Sequence, residues 1–147
     1  TVIIRPGKPN AAASSWASGM FREPLNGENC ELPVRRDQCH PMTGCRTVIE
    51  SLIALHEVPP DHLGDDRAYG LPAHRVTPAL AETVIRQIAD ERGLRLGALV
   101  DAFDPRIQGI VDNWPTAVDG SRAVRLGLPR PPELKQIVEQ YLEDSGG

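Results

Sequence analysis

The sequence predicts an α/β fold in which the last strands of a parallel sheet are followed by a helix-rich lobe, and three observations carry this. Val2-Ile3-Ile4 is an unbroken β-branched run without polar alternation, as expected of a strand covered on both faces in a parallel sheet. The run stops at Pro6-Gly7, where proline removes a ladder donor and glycine allows a sharp turn. Strand–helix alternation then ceases after one unit and gives way to short strands and several helices, an order that suits a lobe folded over a larger sheet better than a free-standing doubly wound domain.

Ligands of open α/β sheets lie just outside the carboxyl ends of strands, so Arg5 to Asn10 is the first candidate contact segment. A buried parallel strand also needs neighbours. With no initiator Met and no strand or helix ahead of Thr1, the expectation is a C-terminal part of a longer protein. Its predicted organisation is residues 1–27 as the end of the sheet with its following helix, and residues 28–147 as a substrate-binding lobe.

Ala11 to Phe21 is small, apolar and without a breaker until Gly19, which predicts a helix with Ala12, Trp16 and Met20 on one face. Glu23-Pro24 and Asn26-Gly27 are expected to close it. Glu31 to Val34 reads as a short edge strand because of Pro33, and Gln38 to Thr43 as a second strand interrupted by Pro41. Arg46 to Glu57 is the clearest helix, with Val48, Ile49, Leu52, Ile53 and Leu55 as its apolar stripe and Pro59-Pro60 as its stop. Asp61 to Asp66 is a polar loop or a single turn, and Tyr69 to Leu71 a short strand. Thr77-Pro78 is a strong helix start, followed by Ala81, Val84, Ile85 and Ile88 up to Gly93. Asp104-Pro105 repeats that signal for a short helix through Val111. Asp119 to Leu126 forms another, stopped by Gly127. The final helix begins near Pro131-Pro132 and aligns Leu134, Ile137, Val138, Tyr141 and Leu142.

Composition narrows the function classes. The formal net charge of −4 and scattered basic residues argue against a nucleic-acid surface. No apolar run approaches the ~20 residues of a membrane span. Aromatic residues make up only 4 %, so the core rests on aliphatic side chains. Cys30, Cys39 and Cys45 are odd in number, which fits reduced thiols in the cytoplasm. With His40 they contain no C-x-x-C spacing, so no metal site is expected.

Two further residues stand out. Arg46 opens a helix, where the macrodipole disfavours a cation unless an anion is near. A substrate carboxylate held by two parallel hydrogen bonds would supply one, as would Asp37 or a loop carboxylate. Trp114 precedes Pro115 on a loop, and reads either as a pocket residue or as a core aromatic pinning the last helices. Asp119 reads as a helix cap. His40, His56, His62 and His74 form no catalytic constellation, and no acid–base pair is complete within the chain.

Arg5-Pro6-Gly7-Lys8-Pro9-Asn10-Ala11-Ala12-Ala13-Ser14-Ser15 resembles the segment that leaves the sixth strand in extended short-chain dehydrogenases, in particular the NAD-dependent epimerase/dehydratase branch. Asp112-Asn113-Trp114-Pro115-Thr116, then Asp119, Ser121-Arg122-Ala123 and Leu126-Gly127, is similar to that family's C-terminal substrate lobe, and Arg46-Thr47 before Leu52-Ile53-Ala54 is similar as well. The resemblance implies a Rossmann-type sheet with its N-terminal nucleotide-binding part missing. It implies NAD as cofactor and, as substrate, a D-erythronate-like sugar acid or related hydroxy acid. It places Arg5, Pro6, Gly7 and Lys8 at the nicotinamide end, and Asn10, Ser14, Ser15, Arg46 and Trp114 toward substrate. The family's Gly-x-x-Gly-x-x-Gly turn and Tyr-x-x-x-Lys pair do not occur. Tyr69 is followed four residues on by Ala73 and Tyr141 by Ser145, so no catalytic residue is assigned. The expected partners are the missing N-terminal part or a second copy in a homodimer, joined through Thr1 to Arg5. The rival reading is a non-catalytic α/β binding domain derived from the same family.

Overall fold

The computed structural model describes residues 2–7 and 12–145. Strand β1 (Val2–Ile4) pairs in parallel with β3 (His40–Gly44), in the register Val2↔Met42, Ile3↔Thr43 and Ile4↔Gly44. On its other side β3 runs antiparallel to β4 (His74–Val76), giving the order β1-β3-β4. A second, two-stranded parallel sheet joins β2 (Cys30–Leu32) to β5 (Leu99–Asp101). Helices fill the intervals: α1 (Ser15–Leu25), α2 (Cys45–Glu57), α3 (Pro60–Leu63), α4 (Pro78–Arg92), α5 (Pro105–Val111), α6 (Ser121–Arg125) and α7 (Leu134–Ser145). The architecture is mixed α/β with a small sheet, and the parallel partner expected for β1 is β3. Among the described residues no helix is long and apolar enough to cross a membrane.

Helix α1 starts later and ends later than its composition predicts. Pro24 does not stop it. The helix continues to Leu25, and Gly27, at φ +78°, closes it with the Glu28 N–H donating to the Glu23 carbonyl and the Gly27 N–H to that of Pro24. This paired-bond ending requires a left-handed residue, which glycine takes without steric cost. Trp16, Ala17, Met20 and Phe21 are buried, whereas Ala12 lies outside the helix and is exposed. α4 is bounded as expected: the Thr77 side chain accepts from the Leu80 N–H, and Gly93 ends the helix in the left-handed region.

Three strands differ from expectation. Tyr69 to Leu71 is irregular, and the strand lies at His74–Val76. β5 has three residues and no sequence signal beyond Leu99-Val100; pairing with β2 makes it a strand. β3 takes the centre of its sheet despite Pro41. Its pairing with β1 begins one residue later, at Met42, so only β4 runs beside the proline.

The apolar stripe of α2 is present but faces outward. Ile49, Leu52 and Ile53 are 51–63 % exposed, and only Thr47 and Ser51 are buried. Periodicity creates an apolar face without supplying its partner. One apolar cluster links Ile4, α1, β2 to β5, Val111 and α7, with Val2, Ile107, Trp114 and Leu142 packed against it.

Candidate functional site

The parallel register Ile4↔Gly44 brings the carboxyl ends of β1 and β3 to one edge, so Arg5–Gly7 and Cys45–Arg46 leave the sheet together. Gly7 is at φ +135°, where a side chain would be strained, and a Cβ there would lie 2.9 Å from Arg5 Nη1. That guanidinium donates to the Pro6 carbonyl at 3.1 Å. The segment is therefore a tight turn with exposed backbone and an exposed arginine.

Alternation along the strands puts Ile3 and Thr43 on one sheet face. There, with Val48 of α2, Tyr69, Gly70, Leu71 and Val118, they line an apolar cleft of about 350 Å³. The Thr43 hydroxyl is fully buried and has no hydrogen-bond partner among the described residues. The opposite face is closed at Gly44, where a Cβ would meet Ile137 of α7 at 3.0 Å.

The cleft's outer wall is held by Arg122. Its guanidinium reaches the Asp66 carboxylate at 2.7 Å and the carbonyls of Leu63 and Ala68 at 2.9 and 3.3 Å, and it stacks on the Tyr69 ring at 4.3 Å. The Tyr69 hydroxyl donates to the Leu63 carbonyl at 2.7 Å. The Ala68 N–H, then Arg122, hold the Asp66 carboxyl below the usual range. Gly70 and Gly120 allow the two loops to touch: a Cβ at 120 would fall 2.6 Å from the Pro72 nitrogen, and one at 70 would fall 2.7 Å from Val118 Cγ1. Sequence reasoning assigned Arg122 no such role, because no spacing rule links it to a loop more than fifty positions earlier.

The residues expected from the sequence separate into two groups. Lys8 and Asn10 lie outside the described residues. Arg5, Pro6 and Gly7 stand at the strand end with Arg46. Arg46 pairs with α7 rather than with Asp37: Asp144 at 2.6 Å and Glu143 at 3.0 Å together raise the guanidinium pKa. Asp37 instead sits 3.5 Å from Arg35.

Trp114 belongs to the second group. It stacks on His40, with centroids 5.0 Å apart, and Trp16 lies 6.1 Å from the same ring. His40 begins β3 and Arg46 follows its end, so roughly 13 Å of strand separates the two groups. Ser14 and Ser15, half-buried at the start of α1, precede Trp16 and so belong with Trp114. Burial lowers the His40 pKa, and its Nδ1 and the Trp16 Nε1 are both buried without hydrogen-bond partners among the described residues. From the sequence His40 stands out only as a possible metal ligand beside the cysteines, since nothing in its spacing shows that two tryptophans meet it. Asp119 does cap α6, accepting from the Ser121 N–H at 2.9 Å.

A dinucleotide requires a glycine-rich turn for its pyrophosphate and open backbone near its nicotinamide. Among the described residues only Gly7 combines positive φ with a strand end; Gly27 and Gly93 finish helices. Among the described residues the chain thus offers one open turn at a strand end and no pyrophosphate cradle.

Among the described residues no three His, Cys, Asp or Glu side chains gather as a metal-holding group. Burial, then the neighbouring Glu23 carboxylate, pushes the Cys30 thiol up to about 12. Cys39 and Cys45 are partly exposed. At pH 8 a thiol reagent is therefore expected to modify two of the three cysteines quickly and Cys30 only after denaturant is added. Three fast thiols in the native chain would contradict this.

No family model matches the chain. It is 34 % identical over 150 residues to a D-erythronate dehydrogenase of Cupriavidus necator, covering 99 % of this chain and 44 % of that protein. A D-erythronate dehydrogenase of Haemophilus influenzae is 32 % identical over 143 residues, covering 97 % and 45 %. The chain thus spans less than half the length of these relatives. Among solved structures, a nucleoside-diphosphate-sugar epimerase from Agrobacterium tumefaciens superposes with a TM-score of 0.86 at 29 % identity, over 98 % of this chain and 42 % of that one. A GalE-like L-threonine dehydrogenase from Cupriavidus necator shares the fold with a TM-score of 0.77 at 24 % identity, over 97 % and 45 %.

Proposed function

From a chain that carries the C-terminal part of the epimerase/dehydratase-type short-chain dehydrogenase fold, we propose a role as the substrate-facing portion of an NAD-dependent oxidoreductase acting on a D-erythronate-like hydroxy acid. The observation that carries this reading is the similarity, over nearly the whole chain, to two proteins named D-erythronate dehydrogenase. The apolar cleft lined by Ile3 and Thr43, near the carboxyl ends of two parallel strands, supports it.

When bound, NAD supplies the acceptor for a hydride leaving the secondary carbinol carbon. Arg5, Pro6, Gly7 and Lys8 would present backbone to the nicotinamide. Asn10 would bound the substrate, whereas Ser14, Ser15 and Trp114, grouped around His40 roughly 13 Å along β3, would stand too far from Arg46 to touch the same small hydroxy acid. Arg46 would bind a substrate carboxylate by exchanging it for Asp144 and Glu143, a swap of one bidentate anion for another. The tyrosines here lack the lysine four residues on, so the proton-accepting group is not in this chain. The chain's own contribution is orientation, worth several orders of magnitude in rate when two reactants are held in line. The free side of β1 would pair with the rest of the sheet or with a second copy. Free thiols and a nicotinamide reaction support a location in the reducing cytoplasm.

The test replaces the matching part of the Cupriavidus necator relative with this chain. The chimera is expected to bind NAD and reduce it with D-erythronate, while the chain alone shows no turnover. A chimera that binds NAD yet oxidises no hydroxy acid would overturn the proposal, as would turnover by the chain alone.

A further inference from the structure

A second, open cavity of about 460 Å³ adjoins the strand-end cleft, with Val118 lining both. Pro72, Ala73, Val118 and Val124 form an apolar wall, and Gly120, Ser121, Arg125 and Arg130 line the rest. No carboxylate lines it. Several arginines close on acids, among them Arg35 on Asp112, Arg36 on Glu82 and Asp101, Arg46 on Asp144 and Arg122 on Asp66, whereas Arg5, Arg67, Arg75 and Arg95 make no ion pair among the described residues. Arg125 and Arg130 make no ion pair among the described residues, although the chain as a whole is acidic. The Ser121 N–H and hydroxyl, then the Arg125 charge, hold the Asp119 carboxyl below its usual range.

We propose that this cavity binds a small organic phosphate, with its phosphoryl group between Arg125 and Arg130 and its carbon body against Pro72, Val118 and Val124. Two guanidinium groups match a phosphoryl dianion better than a single carboxylate, and each offers a planar fork of donors to its oxygens. The volume lies within the range of small-molecule sites, and one apolar wall beside convergent polar groups is their usual composition. The site does not depend on the oxidoreductase reading, because none of its lining residues comes from β1, β3 or α2.

The experiment titrates the chain with phenyl phosphate, inorganic phosphate and phenol, following binding by calorimetry and the Val118 and Val124 methyl resonances by NMR. Phenyl phosphate is expected to saturate and to shift both methyls. Inorganic phosphate should bind more weakly and phenol not at all. Arg125→Gln and Arg130→Gln should each weaken phenyl phosphate by about tenfold, the worth of one charge-assisted contact. Arg86→Gln, which alters a surface pair outside the cavity, should leave binding unchanged. Absence of saturable phenyl phosphate binding overturns the site, as does binding that leaves the two methyls unmoved. Those methyl shifts decide the matter on the unaltered chain even if an arginine variant fails to fold.

Discussion

Alanine at position 97 is expected to cost roughly 3 kcal/mol or more, the upper end of what overpacking inflicts. A Cβ on Gly97 would fall onto the backbone carbonyl of Glu28, and no side chain is there to move aside. The two segments cannot separate easily. The Gly97 N–H donates to the Pro24 carbonyl at 2.9 Å, the Cys30 N–H to Ala98 at 2.8 Å, and the Ala98 N–H to the Asn29 side chain at 2.9 Å. These bonds set the register Cys30↔Leu99 that joins β2 to β5. Gly93→Ala provides the comparison. Its φ of +64° is unfavourable for alanine, but no atom lies within 4 Å of the added Cβ, so it should cost only about 1–2 kcal/mol. Urea unfolding of both variants measures the difference. A Gly97→Ala chain with an unchanged midpoint would mean that the two backbones are not in contact.

Association through β1 is the second large effect expected. Among the described residues β1 has a strand neighbour on one side only, while Val2 and Ile3 stay partly exposed. A free apolar strand edge recruits pairing. At ~100 μM, within the range where such edges associate, light scattering is expected to find complexes, and Ile3→Lys to shift them toward monomer by about tenfold or more, since a charge on that edge opposes pairing. Circular dichroism should find α2 intact in the variant, because Ile3 lies outside that helix. A compact monomer of the unaltered chain at that concentration would overturn the expectation and favour a self-contained binding domain.

How much of the molecule was legible in its sequence depended on whether the cause was local. Thr77, Pro78 and Gly93 bound α4 by their own conformational preferences, and the structure places the helix between them. Val2-Ile3-Ile4 announced a parallel strand because β-branched residues suit a pleated surface, and β3 pairs with it in parallel. The turn at Pro6-Gly7 was visible for the same reason.

The sequence alone determined element type wherever caps, breakers or an apolar period act within a few residues. Only the tertiary structure decided which anion meets Arg46, which ring covers His40 and which loop Arg122 clamps. Each of those partners lies more than fifty positions away in the chain. It also decided that Leu99–Asp101 is a strand, since three residues acquire that conformation from the ladder that receives them. Helical periodicity marked the stripe on α2, but whether a stripe is covered depends on what packs against it, and Ile49, Leu52 and Ile53 remain exposed. Local preferences are written in neighbouring residues, whereas pairing is settled when distant segments compete for the same surface.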